Sequence, residues 1–227
     1  MSGRSIIVTG GFGALGRVVA AAFSAQADRV ARVDFAPVAP DAIAGGLDIG
    51  GVDLSDAGAA ASVAAQVTEA FGGIDTLVNI AGGFVWGRIR DGDIATWERM
   101  YRLNALTCLT MTKAALPALQ MRPSARIINI GSGGGLKGET GMGAYAASKA
   151  AVHRLTESVA AELAQIDITV NAVLPGIIDT PANRKDMPDA DFTQWVQPQA
   201  IAETILFLAS PAASAVTGAL IPVTRRG

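Results

Sequence analysis

Six short runs of aliphatic and β-branched residues recur along the chain, at 5–9, 30–34, 74–80, 126–130, 168–174 and 219–223. They are apolar almost throughout rather than alternately polar and apolar. A strand with one wet face alternates, whereas a strand covered on both faces does not. Between most of the runs lie Ala-rich segments of helical length, at 14–26, 57–71, 145–164 and 199–208. This repetition predicts an α/β, doubly wound fold: a parallel sheet with helices on both faces. A long crossover at 97–119 carries Pro117 near its end, where a helix can stop. No repeat or low-complexity tract divides the 227 residues, so we expect a single domain over 1–227. One polar stretch, 179–198, is punctuated by Pro181, Pro188 and Pro198, and is the expected place for a mobile loop over the substrate, at about 180–198.

Composition narrows the partners. Half of the residues are hydrophobic (50%) and 17% are charged, which excludes disorder as a description of the whole chain. Mean hydropathy is positive, +0.37. Yet no run approaches the roughly 20 apolar residues of a spanning helix, so no membrane partner is expected. A net charge of −2 without a basic block argues against nucleic acid. The single cysteine, Cys108, has no internal disulfide partner, fits a reducing compartment and reads as a small buried hydrophobe. Met1 leads almost directly into an apolar strand, with no room for a leader, so a cytoplasmic location is expected.

The first strand runs into Gly10-Gly11-Phe12-Gly13-Ala14-Leu15-Gly16, which opens a helix and contains G-x-G-x-x-G at Gly11, Gly13 and Gly16. Glycine lets backbone amides approach a pyrophosphate closely, and the helix N-terminus offers unpaired N–H groups and a positive dipole end. This predicts a dinucleotide site. The second strand ends at Asp34, where a carboxylate can accept both hydrogen bonds of an adenosine ribose diol. Further on, Tyr145 and Lys149 stand four residues apart and share a helix face. A phenol titrates near ~10, too high for proton transfer at neutral pH, and a neighbouring ammonium would lower it. Ser132 lies just past the strand at 126–130, at the edge where open α/β sheets bind ligands.

With these residues together, the chain resembles the short-chain dehydrogenases/reductases over almost its whole length. The resemblance rests on the glycine turn, Asp34, Asp53-Leu54, Asn79-Ile80-Ala81-Gly82, Asn104, Ser132, Tyr145 with Lys149, and Pro175-Gly176 followed by Thr180. It implies a Rossmann fold, a nicotinamide cofactor, and hydride transfer to or from a carbonyl/alcohol carbon. On that footing Tyr145 is the general acid/base and Ser132 holds the reacting oxygen. Lys149 binds ribose hydroxyls and tunes Tyr145, and Asn104 holds a relay water. Asp53 with Leu54 meets the adenine. Asn79, Ala81 and Gly82 support the cofactor, Thr180 meets the carboxamide, and Pro175, Gly176 and Ile178 complete that wall. A tetramer or dimer is also implied.

Two departures stand out. The family's usual turn, T-G-x-x-x-G-x-G, needs glycine where this chain has Ala14, so a locally different loop path is expected with phosphate binding retained. The C-terminus reads Val223-Thr224-Arg225-Arg226-Gly227 where V-D-G-G is common, so a contact there is expected to differ. A local resemblance to quinonoid dihydropteridine reductases appears at 179–195 and again in the glycine turn and Ala81-Gly82-Gly83. Those enzymes lack the serine and asparagine present here, which favours alcohol/ketone chemistry and leaves dihydropterin reduction as the alternative. A non-catalytic NAD-binding sensor or scaffold is a second alternative; it would have no need of Asn104, Ser132, Tyr145 and Lys149.

Asp34, with no basic residue in the glycine turn, predicts NAD over NADP, although Arg17 and Arg32 are nearby. Phe192 and Trp195 are expected to give a flat apolar wall over a small or planar substrate. Trp86 and Trp97 are read as core or subunit contacts. His153 is read as a packing or interface residue, and no metal site is expected.

Overall fold

The computed structural model describes residues 3–224. Its strands are β1 (Ser5–Thr9), β2 (Arg29–Val33), β3 (Leu47–Ile49), β4 (Thr76–Asn79), β5 (Ala125–Ile130), β6 (Ile168–Pro175) and β7 (Leu220–Val223). They form one parallel sheet in the order β3-β2-β1-β4-β5-β6-β7. Every residue of β1, β4, β5 and β6 is buried, which is why these runs show no polar alternation. All six runs read from the sequence are strands. The seventh strand, β3, has three half-buried or exposed residues between two glycine pairs, too short and too polar to show a period.

Successive side chains of each strand point to opposite faces. Ile7, Leu77, Ile127 and Val170 meet Val63 and Val67 of α2 (Ala57–Phe71), Met111 and Leu119 of α4 (Thr107–Gln120) and Val159 of α5 (Gly143–Glu162). Their neighbours Ile6, Val8, Val78 and Ile128 meet Val19 and Phe23 of α1 (Ala14–Ser24) and Ile201, Ile205 and Leu208 of α7 (Pro198–Leu208). Each such aliphatic side chain contributes on the order of 1.5–3 kcal/mol by leaving water. Among the described residues no helix is long and apolar enough to cross a membrane. Cys108 is buried on α4, and burial pushes its thiol up to about 12, as suits a packing residue.

Two segments differ from expectation. The crossover read as one helix consists of α3 (Ile94–Met100), a π-helical segment Tyr101–Leu106, and α4, which runs on past Pro117 to Gln120. Such π segments are rare and concentrate at functional sites. The polar stretch after Asp179 is built rather than loose. It holds α6 (Pro181–Asp186), capped by the Thr180 hydroxyl accepting from Asn183 N at 3.2 Å, and a 3-10 turn Phe192–Gln194. Asp179 anchors it by taking Arg184 in two bonds of 2.6 and 2.8 Å and Gln197 at 2.9 Å. These contacts, Arg184 first, pull the Asp179 carboxyl down to about 2. Residues Arg225, Arg226 and Gly227 of the altered C-terminus lie outside the described residues.

The sheet order reverses beside β1: the chain runs outward to β2 and β3, then returns to β4 on the other side. The Thr9 hydroxyl spans this gap, accepting from Ile80 N at 3.0 Å and Ala81 N at 3.1 Å. Open α/β sheets take ligands in the crevice at such a reversal.

Candidate active site

A cavity of about 430 Å³ lies there. It is lined by Gly10, Gly13, Ala14, Leu15, Gly16, Asp34, Asp53, Leu54, Ala81, Gly82 and Thr180, all singled out from the sequence. Ile80, within the Asn79–Gly82 motif, completes the wall with Phe35, Val52, Leu103 and Thr107, none of which the sequence pattern marks. Gly10 turns in the left-handed region, φ +64°, and a Cβ on Gly16 would sit 2.1 Å from the Gly10 carbonyl oxygen. A Cβ on Gly11 would sit 2.6 Å from Cβ of Arg32, so the turn lies directly on β2. Ala14 is the exposed first residue of α1, where a methyl group has room.

Helices α2 and α3 open on Asp56 and Asp93, whose carboxylates accept from Ala59 N at 2.8 Å and Thr96 N at 2.7 Å. Helix α1 opens on Gly13 with no side-chain cap and no acid in its first turn. Its free amides and positive dipole end therefore face the cavity unneutralised.

Asp34 holds the far side. Its Oδ2 accepts from Phe12 N at 2.9 Å and its Oδ1 from Ala36 N at 3.0 Å. Both nearby arginines are engaged elsewhere. Arg32, whose side chain is 3% exposed, forks onto Asp48 at 2.8 and 2.8 Å and reaches Asp41 at 2.6 Å. Arg17 bonds Asp41 at 2.8 Å. Asp53 accepts from Ser55 N at 2.9 Å and Ser55 Oγ at 2.5 Å, and pairs with Arg102 at 3.1 Å. The Thr110 hydroxyl donates to the Leu54 carbonyl and fixes the adjoining wall. Unpaired amides, a fixed carboxylate and the apolar Val52, Leu54 and Ile80 form a donor set that fits a dinucleotide.

Asn79 works from behind this wall. It is buried and its Nδ2 donates to Thr112 Oγ1 at 3.1 Å and Asn129 Oδ1 at 2.9 Å, tying β4 to α4 and β5. Pro175 ends β6; Gly176 N donates to Val223 O at 3.1 Å, and Ile178 pairs with Val196.

The π-helical segment presents Asn104 inward at 1% exposure. Its Nδ2 donates to Gly83 O at 3.0 Å and Ser148 Oγ at 2.9 Å, and its Oδ1 accepts from Gly83 N at 2.9 Å. Both ends of the amide are thus tied to the protein. Gly82 has no space for a side chain: a Cβ would lie 2.5 Å from Asn104 Oδ1 and 3.5 Å from Lys149 Nζ. Lys149 is buried on α5, and its Nζ donates to Ile130 O at 2.8 Å. Burial lowers its pKa to about 8. Burial raises the Tyr145 phenol above 10.0, outweighing the neighbouring Ser132 hydroxyl, which pulls it down. The direction is opposite to the expected lowering by Lys149, whose ammonium is turned onto the Ile130 carbonyl.

The other aromatic residues divide between surface and interior. Phe84, missed in the sequence, meets Tyr145 edge-on with ring centres 5.0 Å apart. Trp86 and Trp97 are not core residues: they are 54% and 37% exposed and line a second cavity of about 430 Å³ with Val85, Arg88 and Ala144. Trp195 is turned inward, 4% exposed, with Phe192 against it at 4.7 Å. An indole gains more from burial than from walling a wet cleft, so it is an anchor of its segment. His153 is packed inside the fold, 1% exposed, in keeping with its reading as a packing residue. Among the described residues no group of three or more His, Cys, Asp or Glu is placed to hold a metal.

The sequence model of the short chain dehydrogenase family matches residues 4–191. The chain is 32% identical to 2-(S)-hydroxypropyl-CoM dehydrogenase 3 of Xanthobacter autotrophicus, covering 96% of this chain and 94% of that one. It is 31% identical to meso-2,3-butanediol dehydrogenase of Serratia marcescens, over 97% and 92%. The solved structure of Thermoplasma acidophilum aldohexose dehydrogenase superposes with a TM-score of 0.88 at 26% identity, over 97% and 92%. The fold, the cleft at the sheet reversal and these matches agree, and the chain belongs to the short-chain dehydrogenase family of oxidoreductases.

Proposed function

We propose that the chain catalyses reversible hydride transfer between NAD(H) and the carbonyl or alcohol carbon of a small organic molecule. The observation that carries this reading is the grouping of Tyr145 beside Ser132, with Lys149 buried one turn along the same helix. In the cleft the nicotinamide ring would supply or accept the hydride. Tyr145 takes the proton of the alcohol in oxidation and returns it in reduction. Ser132 holds the reacting oxygen. Lys149 reaches the ribose hydroxyls beside Gly82, and the cationic nicotinamide ring of a bound NAD would favour the tyrosinate. The Asn104 side chain braces Gly83 against Ser148, and Asn104 would hold a water of the proton relay. Phe84 shields the phenol from solvent.

NAD is favoured over NADP because Asp34 faces the ribose and neither Arg17 nor Arg32 is free to meet a 2′-phosphate. The relatives' names point to small secondary alcohols as substrates. The segment at 180–198, with Phe192 on its surface, would close over the substrate. The whole chain then works as one dinucleotide-binding and catalytic domain. We place it in the cytoplasm as a homo-oligomer, dimer or tetramer, consistent with exposed apolar Ile94, Tyr101 and Leu109 along α3 to α4.

The test is a panel of small secondary alcohols and ketones, with quinonoid dihydropterin beside them, each with NAD(H) and NADP(H). Turnover of an alcohol or ketone with NAD(H) supports the reading. Faster reduction of dihydropterin than of any ketone replaces the substrate class. Dinucleotide binding without turnover of any panel member makes the chain a sensor or scaffold.

A further inference from the structure

His153 is the chain's only histidine, and the hydride-transfer scheme does not use it. It stands on α5 one turn beyond Lys149, and its Nε2 accepts a hydrogen bond from the main-chain N–H of Ser132 at 3.3 Å. The turn that carries Ser132 closes on the ring from both sides. A Cβ on Gly131 would lie 2.6 Å from Nε2, and one on Gly135 would lie 2.6 Å from Cε1. The imidazole fills the space that side chains at both positions would need. The Ser132 hydroxyl has its own local tie, accepting from Gly134 N at 3.1 Å, but the main chain beneath it is held by the ring.

We infer that His153 is a positioning residue: its Nε2 fixes the Ser132 main chain, and through it sets the Ser132 hydroxyl against Tyr145. This rests on the roles proposed above for Ser132 and Tyr145. An accepting Nε2 requires a neutral ring with its proton on Nδ1. Burial, then the positive charges of Lys149 and Arg154, lower the ring's pKa below 6.5 and keep it neutral at neutral pH. The turn packed on it carries no ionisable side chain, and Leu174 of β6, which shares the space at Gly131, is apolar. A proton on Nε2 would set two donors face to face and release the turn, so kcat falls as pH drops through the ring's pKa.

A lone histidine makes the test direct. In protein carrying no histidine tag and labelled with ¹⁵N-histidine, one ring is seen. It should be the Nδ1–H tautomer and titrate below 6.5. Kinetics use the alcohol of the panel with the highest kcat/KM. His153→Leu removes the acceptor at similar volume and should lower kcat by ~10-fold or more, with alcohol KM and NAD Kd within threefold. His153→Gln restores an acceptor at the position of Nε2 and should return kcat to within threefold of wild type while abolishing the acid limb. Three results would overturn the inference: an Nε2–H tautomer, wild-type kcat in His153→Leu when Ser132→Ala is inactive, or no rescue by a folded His153→Gln. Should His153→Leu fail to fold, the tautomer and His153→Gln still decide. Full activity in Ser132→Ala would instead strike at the reading of Ser132, and this inference would fall with it.

Discussion

The two ends of the cleft are built by different means. At the end proposed above for the adenosine, position is set by backbone and by closed ion pairs: Gly16 against the Gly10 carbonyl, Asp34 on two amides, Arg17 and Arg32 locked by Asp41 and Asp48. At the reacting end, position is set by buried side chains that reach across elements: Asn104 from the π segment to Gly83 and Ser148, Lys149 to Ile130, His153 to Ser132. The first kind of construction leaves its mark in local sequence, because a turn needs its glycines whatever lies elsewhere. The second depends on residues brought together by the fold. It also sets the chemistry, since burial is what drives Lys149 down and Tyr145 up.

The sharpest way to break the comparison is at Tyr145. Tyr145→Phe keeps the ring edge against Phe84 and deletes only the hydroxyl. The expected result is a fall in kcat of ~10²-fold or more, the usual worth of a positioned acid/base, with NAD Kd unchanged by titration. Retained turnover would remove the proton-transfer role, and weakened NAD binding would show that the two ends are not separable.

What could be read in advance follows the same division. The strands, the turn from Gly10 to Gly16, Asp34 and the Tyr145–Lys149 pair all declare themselves through spacing. Strand β3 does not, because three residues at a sheet edge carry no period. The π segment does not, since nothing in the composition of Tyr101–Leu106 marks a widened turn. The place of Trp195 in the segment after Thr180 suggests a wall over the substrate, yet a buried anchor of that segment occupies the same place in sequence. The contact between His153 and Ser132 joins residues that only the packing of α5 on β5 brings together.

The adenosine end offers the next test. In Asp34→Ala the like-charge contact with a 2′-phosphate is gone, but no cation is released, because Arg17 and Arg32 stay paired. The expected gain in kcat/KM for NADP is ~10-fold, with a loss for NAD. Adding Asp41→Asn frees Arg17, while Arg32 remains forked on Asp48, and should bring a further several-fold gain for NADP. The gain should disappear when Arg17→Gln is added. Equal cofactor use by the wild type would undo the NAD reading; a double variant no better than Asp34→Ala would show that Asp41 does not hold Arg17 back.

Trp195→Ala separates anchor from wall. A buried tryptophan truncated to alanine costs ~3–5 kcal/mol, so Tm should fall by several degrees or more. An anchor's loss lowers kcat/KM by a similar few-fold for every panel substrate. Selective loss for planar substrates, with Tm unchanged, would return Trp195 to the substrate wall.

The smallest effect is expected at Arg102. Its bond to Asp53 spans 3.1 Å between side chains 60% and 46% exposed. Pairs in that setting contribute little and are screened by salt. Asp53 is held chiefly by Ser55, whose hydroxyl and amide are the largest causes of its lowered carboxyl pKa, with Arg102 behind them. Arg102→Gln should therefore leave NAD Kd within twofold at physiological salt, whereas Ser55→Ala, which frees the carboxylate to swing, should weaken it more. The sign with pH follows from the lowered pKa: the stabilisation is present above the unfolded value of 3.8 and is lost as pH falls through the folded one. If Arg102→Gln weakened NAD binding as much as Ser55→Ala, a side chain reaching in from the π segment would be positioning the adenosine end. The two ends of the cleft would then share one mode of construction.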